Sequence, residues 1–407
     1  MTVPDTPQRP IGYLAPEFPA QTHAFFWREL QAIEALGVPV TLFSTRKPPA
    51  GSCPHAFADV AQARTHYLFP PDLARTAGFL ATRPTRLAKA IGYIAGLKET
   101  PLKTRAAFMA LIASAADLAA QCREQGISHV HIHSCANAAH LGALAHILDG
   151  LNCSLTLHGD LPVYGTDHKA KMARATFVSA VTAPLQRSLR EEISATQHYP
   201  VIWMGVDTQR FVPAPAKRAA RPTDRFEVVS VARLNHVKGH VYFLRAMATL
   251  RDEGIDIHYR IAGDGPEQTV IEAEIDTLGL RDHVTLLGAV DEGVVLELLQ
   301  SCDALALTSI NKGEAAPVAV MEAMSCGLAP ICSIIGGTPD MIEDGVDGFL
   351  VGQRDVIAIT DATRKLAIGP DRRAQMGRAA RATALEKFDH HRNAARLYDE
   401  IRRSQTD

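Results

Sequence analysis

Arg233 and Lys238 stand in the stretch V-S-V-A-R-L-N-H-V-K-G-H, residues 229–240, where an apolar run ends near Ala232 and a helical pattern opens at Lys238 or Gly239. At such a junction the free main-chain N–H groups and the helix dipole add to the side-chain charges, which is the chemistry of an anion site. Taken alone, the same pair reads equally as two solvated surface cations. Glu314 and Glu322 are separated by seven residues in E-A-A-P-V-A-V-M-E. Pro317 suits the first helical position, which puts Glu314 in a loop and Glu322 about a turn and a half into a helix. A carboxylate at Glu322 can accept two hydrogen bonds from a ribose diol, while Glu314 lies nearer the strand end, where a sugar ring would sit. The plainer reading is one acid at a helix N-terminus and one exposed helix acid.

Glycines accompany both pairs. In Ile261-Ala-Gly-Asp-Gly-Pro-Glu267 an apolar run turns through Gly263 and Gly265 toward a helix expected to start at Pro266. Glycine lets main chain approach a ligand, and it also simply permits a tight turn. In Ile334-Ile-Gly-Gly-Thr-Pro-Asp-Met-Ile342, Gly336 and Gly337 precede Pro339. Backbone donors there could hold a phosphate. The following D-G-V-D-G-F-L-V, residues 344–351, reads as a turn and a strand.

The first half is rich in histidine. Thr22 and His23 lie in a loop between an apolar run and a helix carrying Phe25, Phe26 and Trp27. His129, His131 and His133 alternate, so on a strand they share one face. Cys135 and His140 are near in sequence, but no closed four-ligand spacing marks a zinc site, and no metal is expected. His158 ends another apolar run, in T-L-H-G-D. A structural histidine satisfied inside the fold is the alternative there.

These residues sit at the ends of short apolar runs, near 11–15, 38–44, 129–133 and 155–158, then 227–231, 258–262, 284–287, 304–308 and 330–333. Amphipathic segments at 239–250, 266–280, 291–300 and 317–324 lie between the later ones. Alternation of this kind predicts βαβ units and a parallel sheet covered on both faces. It occurs twice, which predicts an α/β chain of two doubly wound Rossmann-like domains facing across a cleft. Such sheets bind ligands beyond the carboxyl ends of their strands. The junction falls in the proline-bearing stretch 204–223, giving an N-terminal domain over 1–205 and a C-terminal domain over 206–385. The remainder, 386–407, is expected as a charged helix that packs back on the N-terminal domain.

A length of 407 residues suits two such cores. The net charge of −2 gives no global basic surplus, so nucleic acid is not an expected partner. Charge is uneven, however. Arg75, Arg83, Arg86, Lys89, Lys98, Lys103 and Arg105 face Glu99 alone across residues 75–105, interleaved with Phe79, Leu87 and Ile91. A basic amphipathic segment can dock on anionic lipid, and a merely solvated basic face fits the same pattern. No run of 18 apolar residues predicts a transmembrane helix, and the N-terminus lacks the pattern of a secretory signal. Seven cysteines without a C-x-x-C pair suggest free thiols in a reducing cytoplasm.

Arg233 with Lys238, A-G-D-G-P-E, the E-x7-E pair, G-G-T-P-D and D-G-V-D-G-F-L-V come in the order and spacing of glycosyltransferase family 4, which this chain resembles most strongly over about 225–355. Within that family it looks like the bacterial exopolysaccharide transferases of the colanic-acid type. The first half is similar in its opening F-P-A-Q-T-H-A-F and in T-L-H-G-D. The resemblance implies a GT-B fold and a retaining hexosyl transfer from a nucleotide-sugar, a UDP-sugar or GDP-mannose, to a glycan or lipid-linked acceptor. It implies that Arg233 and Lys238 grip the donor diphosphate and act catalytically on the leaving group. It places Glu322 on the ribose and Glu314 and His158 beside the donor sugar. Gly263, Gly265, Gly336 and Gly337 then fall on the donor side, and Thr22, His23 and His133 on the acceptor side. Two departures stand out: Ala315 replaces the usual glycine after the first Glu, and Asp340 stands where Glu is commoner. No D-x-D occurs, so no metal and no other cofactor is expected. Cytoplasmic placement, against the inner face of the membrane, would suit a lipid-linked acceptor. A sugar-nucleotide epimerase and a non-catalytic nucleotide-sugar binding protein are the alternatives. A nicotinamide dehydrogenase is disfavoured, because no G-x-G-x-x-G follows the first strand.

Overall fold

The computed structural model describes residues 8–20, 23–53, 55–214, 225–311 and 315–405. Thr22 and Glu314 lie outside the described residues. The chain divides into two compact units, one of residues 1–203 and 391–407, the other of residues 204–390.

The first unit is built on six strands: β1 (Ile11–Ala15), β2 (Val40–Ser44), β3 (His66–Tyr67), β4 (His129–Ile132), β5 (Asn152–Leu157) and β6 (Ala175–Ala180). They pair in parallel in the order β3-β2-β1-β4-β5-β6. Strand order reverses between β1 and β4, so the loops after these two strands flank the switch point, where open sheets of this kind hold ligands. Parallel strands covered on both faces need apolar residues at nearly every position, and β1 is buried along its whole length. Its core partners include Phe26, Trp27, Leu30 and Ile33 of the helix Ala24–Ala35. They also include Ala394, Leu397, Tyr398 and Ile401 of the last helix, His390–Arg403.

The second unit repeats the plan with β7 (Phe226–Val231), β8 (Ile257–Ala262), β9 (Val284–Gly288), β10 (Ala304–Leu307), β11 (Ala329–Ser333) and β12 (Phe349–Val351). The order is β12-β11-β10-β7-β8-β9, again parallel, with the reversal between β7 and β10. Both expected sheets are therefore present.

Residues 205–212 do not behave as a linker. Val206 bridges to Asp389, Phe211 is fully buried, and Arg381 donates to the carbonyls of Thr208 and Phe211. The segment 75–105 is not one amphipathic element either. Pro84 starts a helix, Pro84–Ala95, that is separate from Leu73–Ala81, and Pro101 precedes a third, Leu102–Glu124. Three of its seven cations are committed inside the fold. Arg75 pairs with Asp117 at 2.8 Å and Arg83 with Asp149 at 3.1 Å, while Arg105 donates to the carbonyls of Ala95, Lys98 and Thr100. Arg86, Lys89, Lys98 and Lys103 stay exposed. Among the described residues no helix is long and apolar enough to cross a membrane.

Candidate active site

In the second unit the Arg233–Lys238, A-G-D-G-P-E and G-G-T-P-D motifs follow the carboxyl ends of β7, β8 and β11, while D-G-V-D-G-F-L-V leads into β12. The loop after β7 carries Arg233, which is exposed, and Lys238, which is half-buried. Lys238 closes a 3-10 turn, His236–Lys238, just before the helix His240–Asp252. Across the switch point, the chain after β10 leads through Pro317 into the helix Val318–Ser325. Pro317 caps this helix rather than beginning it, because its ψ of 116° is still extended. Glu322 lies in the second turn and is 7% exposed, so the exposed-acid alternative fails.

Main-chain hydrogen bonds stitch these loops into one rim. The Leu234 N–H donates to the Asp264 carbonyl at 2.7 Å, and the Glu267 N–H donates back to the Leu234 carbonyl at 2.9 Å. The Ile310 N–H donates to the Val237 carbonyl at 2.7 Å, and the Thr308 hydroxyl to the Gly239 carbonyl at 3.0 Å. Further round, the Gly337 N–H donates to the Ala315 carbonyl at 2.8 Å. The loops bearing the cations, the glycine pair, the acid helix and the G-G-T-P turn are thus held together.

Two expectations about donors change. A Cβ on Gly263 would lie 1.9 Å from the Ala232 carbonyl oxygen, and one on Gly265 would lie 2.3 Å from that of Leu234. Both glycines hold φ near 150°. What approaches them closely is the Arg233 loop itself, so they set the position of the cations. The next helix starts at Gln268, not Pro266. At the other turn, the helix Thr338–Met341 has four residues and so little dipole, and the Gly337 N–H is spent on Ala315. That turn is braced instead by Thr338, whose hydroxyl accepts from the Ile335 N–H at 3.0 Å.

Beside the cations, His240 is held neutral, with its pKa pulled down to about 4 by burial and then by Lys238. Its Nδ1 meets the Tyr259 hydroxyl at 3.2 Å.

The first unit gathers its own cluster at the matching edge. His23 caps the helix Ala24–Ala35, His133 follows β4, and His158 follows β5. His133 Nδ1 lies 3.1 Å from His158 Nε2, and His133 Nε2 lies 3.1 Å from Glu29 Oε1. The Tyr13 hydroxyl donates to the same Glu29 oxygen at 3.0 Å. Phe25 and Phe26 flank the His158 ring, with centroids 5.0 and 5.2 Å away. Burial, then the neighbouring His133 and His23, hold the His158 pKa well below the ordinary histidine value. His23 is pulled down to about 4, chiefly by burial.

His129 does not join this cluster, whereas the His131 ring packs edge-on against His133 with centroids 4.6 Å apart. Both ring systems bond to the Ser154 hydroxyl at 2.7 Å, and His131 also to Thr156 at 2.8 Å. Cys135 and His140 part company, one lying 4.0 Å from His168 Nδ1 and the other 2.8 Å from the Tyr93 hydroxyl. Among the described residues no group of three His, Cys, Asp or Glu side chains is arranged to hold a metal. Glu29 is the residue that reading motifs missed. Its signal is an acid on the helix face that otherwise carries Phe26, Leu30 and Ile33.

Residues 214–383 match the family model of glycosyl transferases group 1. The chain is 32% identical over 232 residues to a GDP-mannose-dependent alpha-(1-6)-phosphatidylinositol monomannoside mannosyltransferase of Mycolicibacterium smegmatis, covering 54% of this chain and 60% of that protein. It is 32% identical over 209 residues to the putative colanic acid biosynthesis glycosyltransferase WcaL of Escherichia coli, covering 50% and 48%. The alignments thus span about half the length of these curated relatives. Among solved structures, Anabaena HepE in complex with UDP superposes with a TM-score of 0.74 at 17% identity, over 96% of this chain and 99% of that one. The second unit is therefore a group 1 glycosyl transferase domain, and the chain has the two-unit GT-B fold and is similar to bacterial glycosyltransferases.

Proposed function

We propose that the protein transfers a hexosyl group from a nucleotide-sugar to an acceptor hydroxyl in bacterial cell-surface polysaccharide synthesis, with retention at the anomeric carbon. The observation that carries this reading is the stitched rim at the switch point of the second unit, which holds the Arg233–Lys238 loop against the loop leading to Glu322. As the anomeric bond lengthens, negative charge grows on the leaving phosphate. Cations fixed beside that phosphate stabilise the charge without reorganising, and removing one such group costs about 3 kcal/mol of barrier lowering. Arg233 and Lys238 take this role, and Glu322 accepts the ribose hydroxyls. Glu314, outside the described residues, is assigned to the donor sugar on the resemblance alone, and His158 to a sugar or acceptor hydroxyl. With no D-x-D in the sequence, the proposed mode needs no metal.

Two relatives support a nucleotide-sugar donor. One is named as GDP-mannose-dependent and another was solved with UDP bound, so UDP-sugars and GDP-mannose are both carried forward. For a lipid-linked acceptor, the exposed cations Arg86, Lys89, Lys98 and Lys103, with Leu102 77% exposed beside them, offer a peripheral contact with anionic lipid. Flotation with phosphatidylglycerol vesicles, lost at high salt, would support that contact.

A thermal-shift panel of sugar nucleotides tests the donor, followed by nucleotide release with glycan and lipid-linked acceptors. Acceptor-dependent release supports the transferase. A converted sugar without acceptor would instead mean an epimerase, and stabilisation without any turnover a binding protein. The relatives described above are glycosyltransferases, which does not favour either alternative.

A further inference from the structure

Resting on the transferase reading, we propose that Glu29 and His133 are positioning residues that fix His158 in its Nε2–H tautomer, so that Nδ1 presents a lone pair to a substrate hydroxyl. Glu29 is 6% exposed, and its Oε1 already accepts the Tyr13 hydroxyl at 3.0 Å. A carboxylate has no proton to give. At 3.1 Å from it, His133 Nε2 must therefore carry a hydrogen to avoid lone-pair repulsion, although the contact departs from ideal hydrogen-bond angles. In a neutral His133 this leaves the lone pair on Nδ1.

His158 Nε2 lies 3.1 Å from that lone pair and must in turn be the donor. The remaining nitrogen, His158 Nδ1, is buried and among the described residues has no hydrogen-bond partner. A buried acceptor left unmatched is costly, on the order of 1–3 kcal/mol. The donor it lacks is one that a bound hydroxyl would bring. The ring cannot easily turn to find another, because Phe25, Phe26 and the stacked His133 ring pack around it. The backbone is held too, since the His158 N–H donates to the Tyr164 hydroxyl at 2.8 Å. Burial keeps the imidazole neutral, which is the state in which a tautomer can be chosen at all.

The test labels the full chain with 15N-histidine and reads the His158 ring nitrogens at pH 7.5, with His158→Gln identifying the resonances by their loss. The expected spectrum shows a pyridine-like Nδ1 and a pyrrole-like Nε2. A protonated Nδ1, as an imidazolium at His133 donating from both nitrogens would impose, overturns the proposal. Glu29→Gln replaces the carboxylate by an amide that can donate as well as accept, so His158 should then populate both tautomers; an unchanged spectrum also overturns it. Where nucleotide release is measurable, Glu29→Gln should lower kcat at least about tenfold with donor KM nearly unchanged. A kcat equal to wild type would count against it. If the wild type releases no nucleotide from any sugar nucleotide, the transferase reading fails while the spectrum still decides the tautomer. Should Glu29→Gln not fold, the wild-type spectrum alone carries the decision.

Discussion

Gly263 shows how little room the donor loops leave. Adding one methyl group would drive it to within 1.9 Å of the Ala232 carbonyl oxygen at a φ that L-residues avoid. Gly263→Ala should therefore destabilise the second unit by about 2–3 kcal/mol, read as a lowered urea midpoint, and should weaken donor binding by shifting Arg233. Lys238→Ala and Glu322→Gln should each weaken sugar-nucleotide binding about ten- to a hundredfold by titration calorimetry, the scale of one hydrogen bond to a charged group. Unaltered affinity in both would sink the donor assignment. Arg233, Lys238 and Glu322 were legible because each lies at a fixed offset from a strand end. The partners of Gly263 and Gly337 were not, because a spacing cannot say whether a loop meets a ligand or another loop. Glu29 escaped for a related reason: its importance comes from His133, more than a hundred residues away in sequence.

At the scale of elements, the contrast between apolar runs and their flanks located the described strands to within a few residues, apart from β3 and β6. β6, A-T-F-V-S-A, and the two-residue β3 gave no such contrast, since small and polar residues dominate them and pairing with β5 and β2 decides. The stretch 75–105 misled because its composition is continuous while its helices are cut by Pro84 and Pro101. Arg381 is the element-scale anchor of the second unit. From the helix Pro370–Lys387 its guanidinium donates to the Thr208 and Phe211 carbonyls, to the Ser325 carbonyl, and to the Ser325 hydroxyl at 2.7 Å. It so ties the end of the Glu322 helix to the segment 208–211. Arg381→Ala would strand these acceptors and should cost at least about 2 kcal/mol, seen as a melting temperature lower by roughly 5 °C.

For the molecule as a whole, the two units should differ in acid. His23, His129, His131, His140 and His158 in the first unit all have lowered pKa values, with burial as the leading cause, against His240 in the second. A buried neutral histidine stabilises fully above the unfolded value near 6.5. Below it the unfolded chain gains protons that the folded one refuses, until the folded values near 4 for His23 and His140 are reached. The first unit should therefore lose stability more steeply than the second between pH 6.5 and 4, visible as two calorimetric transitions drawing apart. A second comparison concerns the last helix. Leu397 and Ile401 are 1% and 0% exposed in the first unit's core, and losing them forfeits about 2 kcal/mol each. That is a large share of a typical domain's stability. Truncation after Lys387 should accordingly melt the first unit and spare most of the second.

That shared ownership of the first core also dictates an order of events on the ribosome. The core begun earliest stays incomplete until residues 394–401 have been made, while the second unit holds all its own residues by His390. Nascent chains stalled soon after His390 has emerged would then carry a finished second unit and an unfinished first one, the reverse of the usual N-terminal-first sequence.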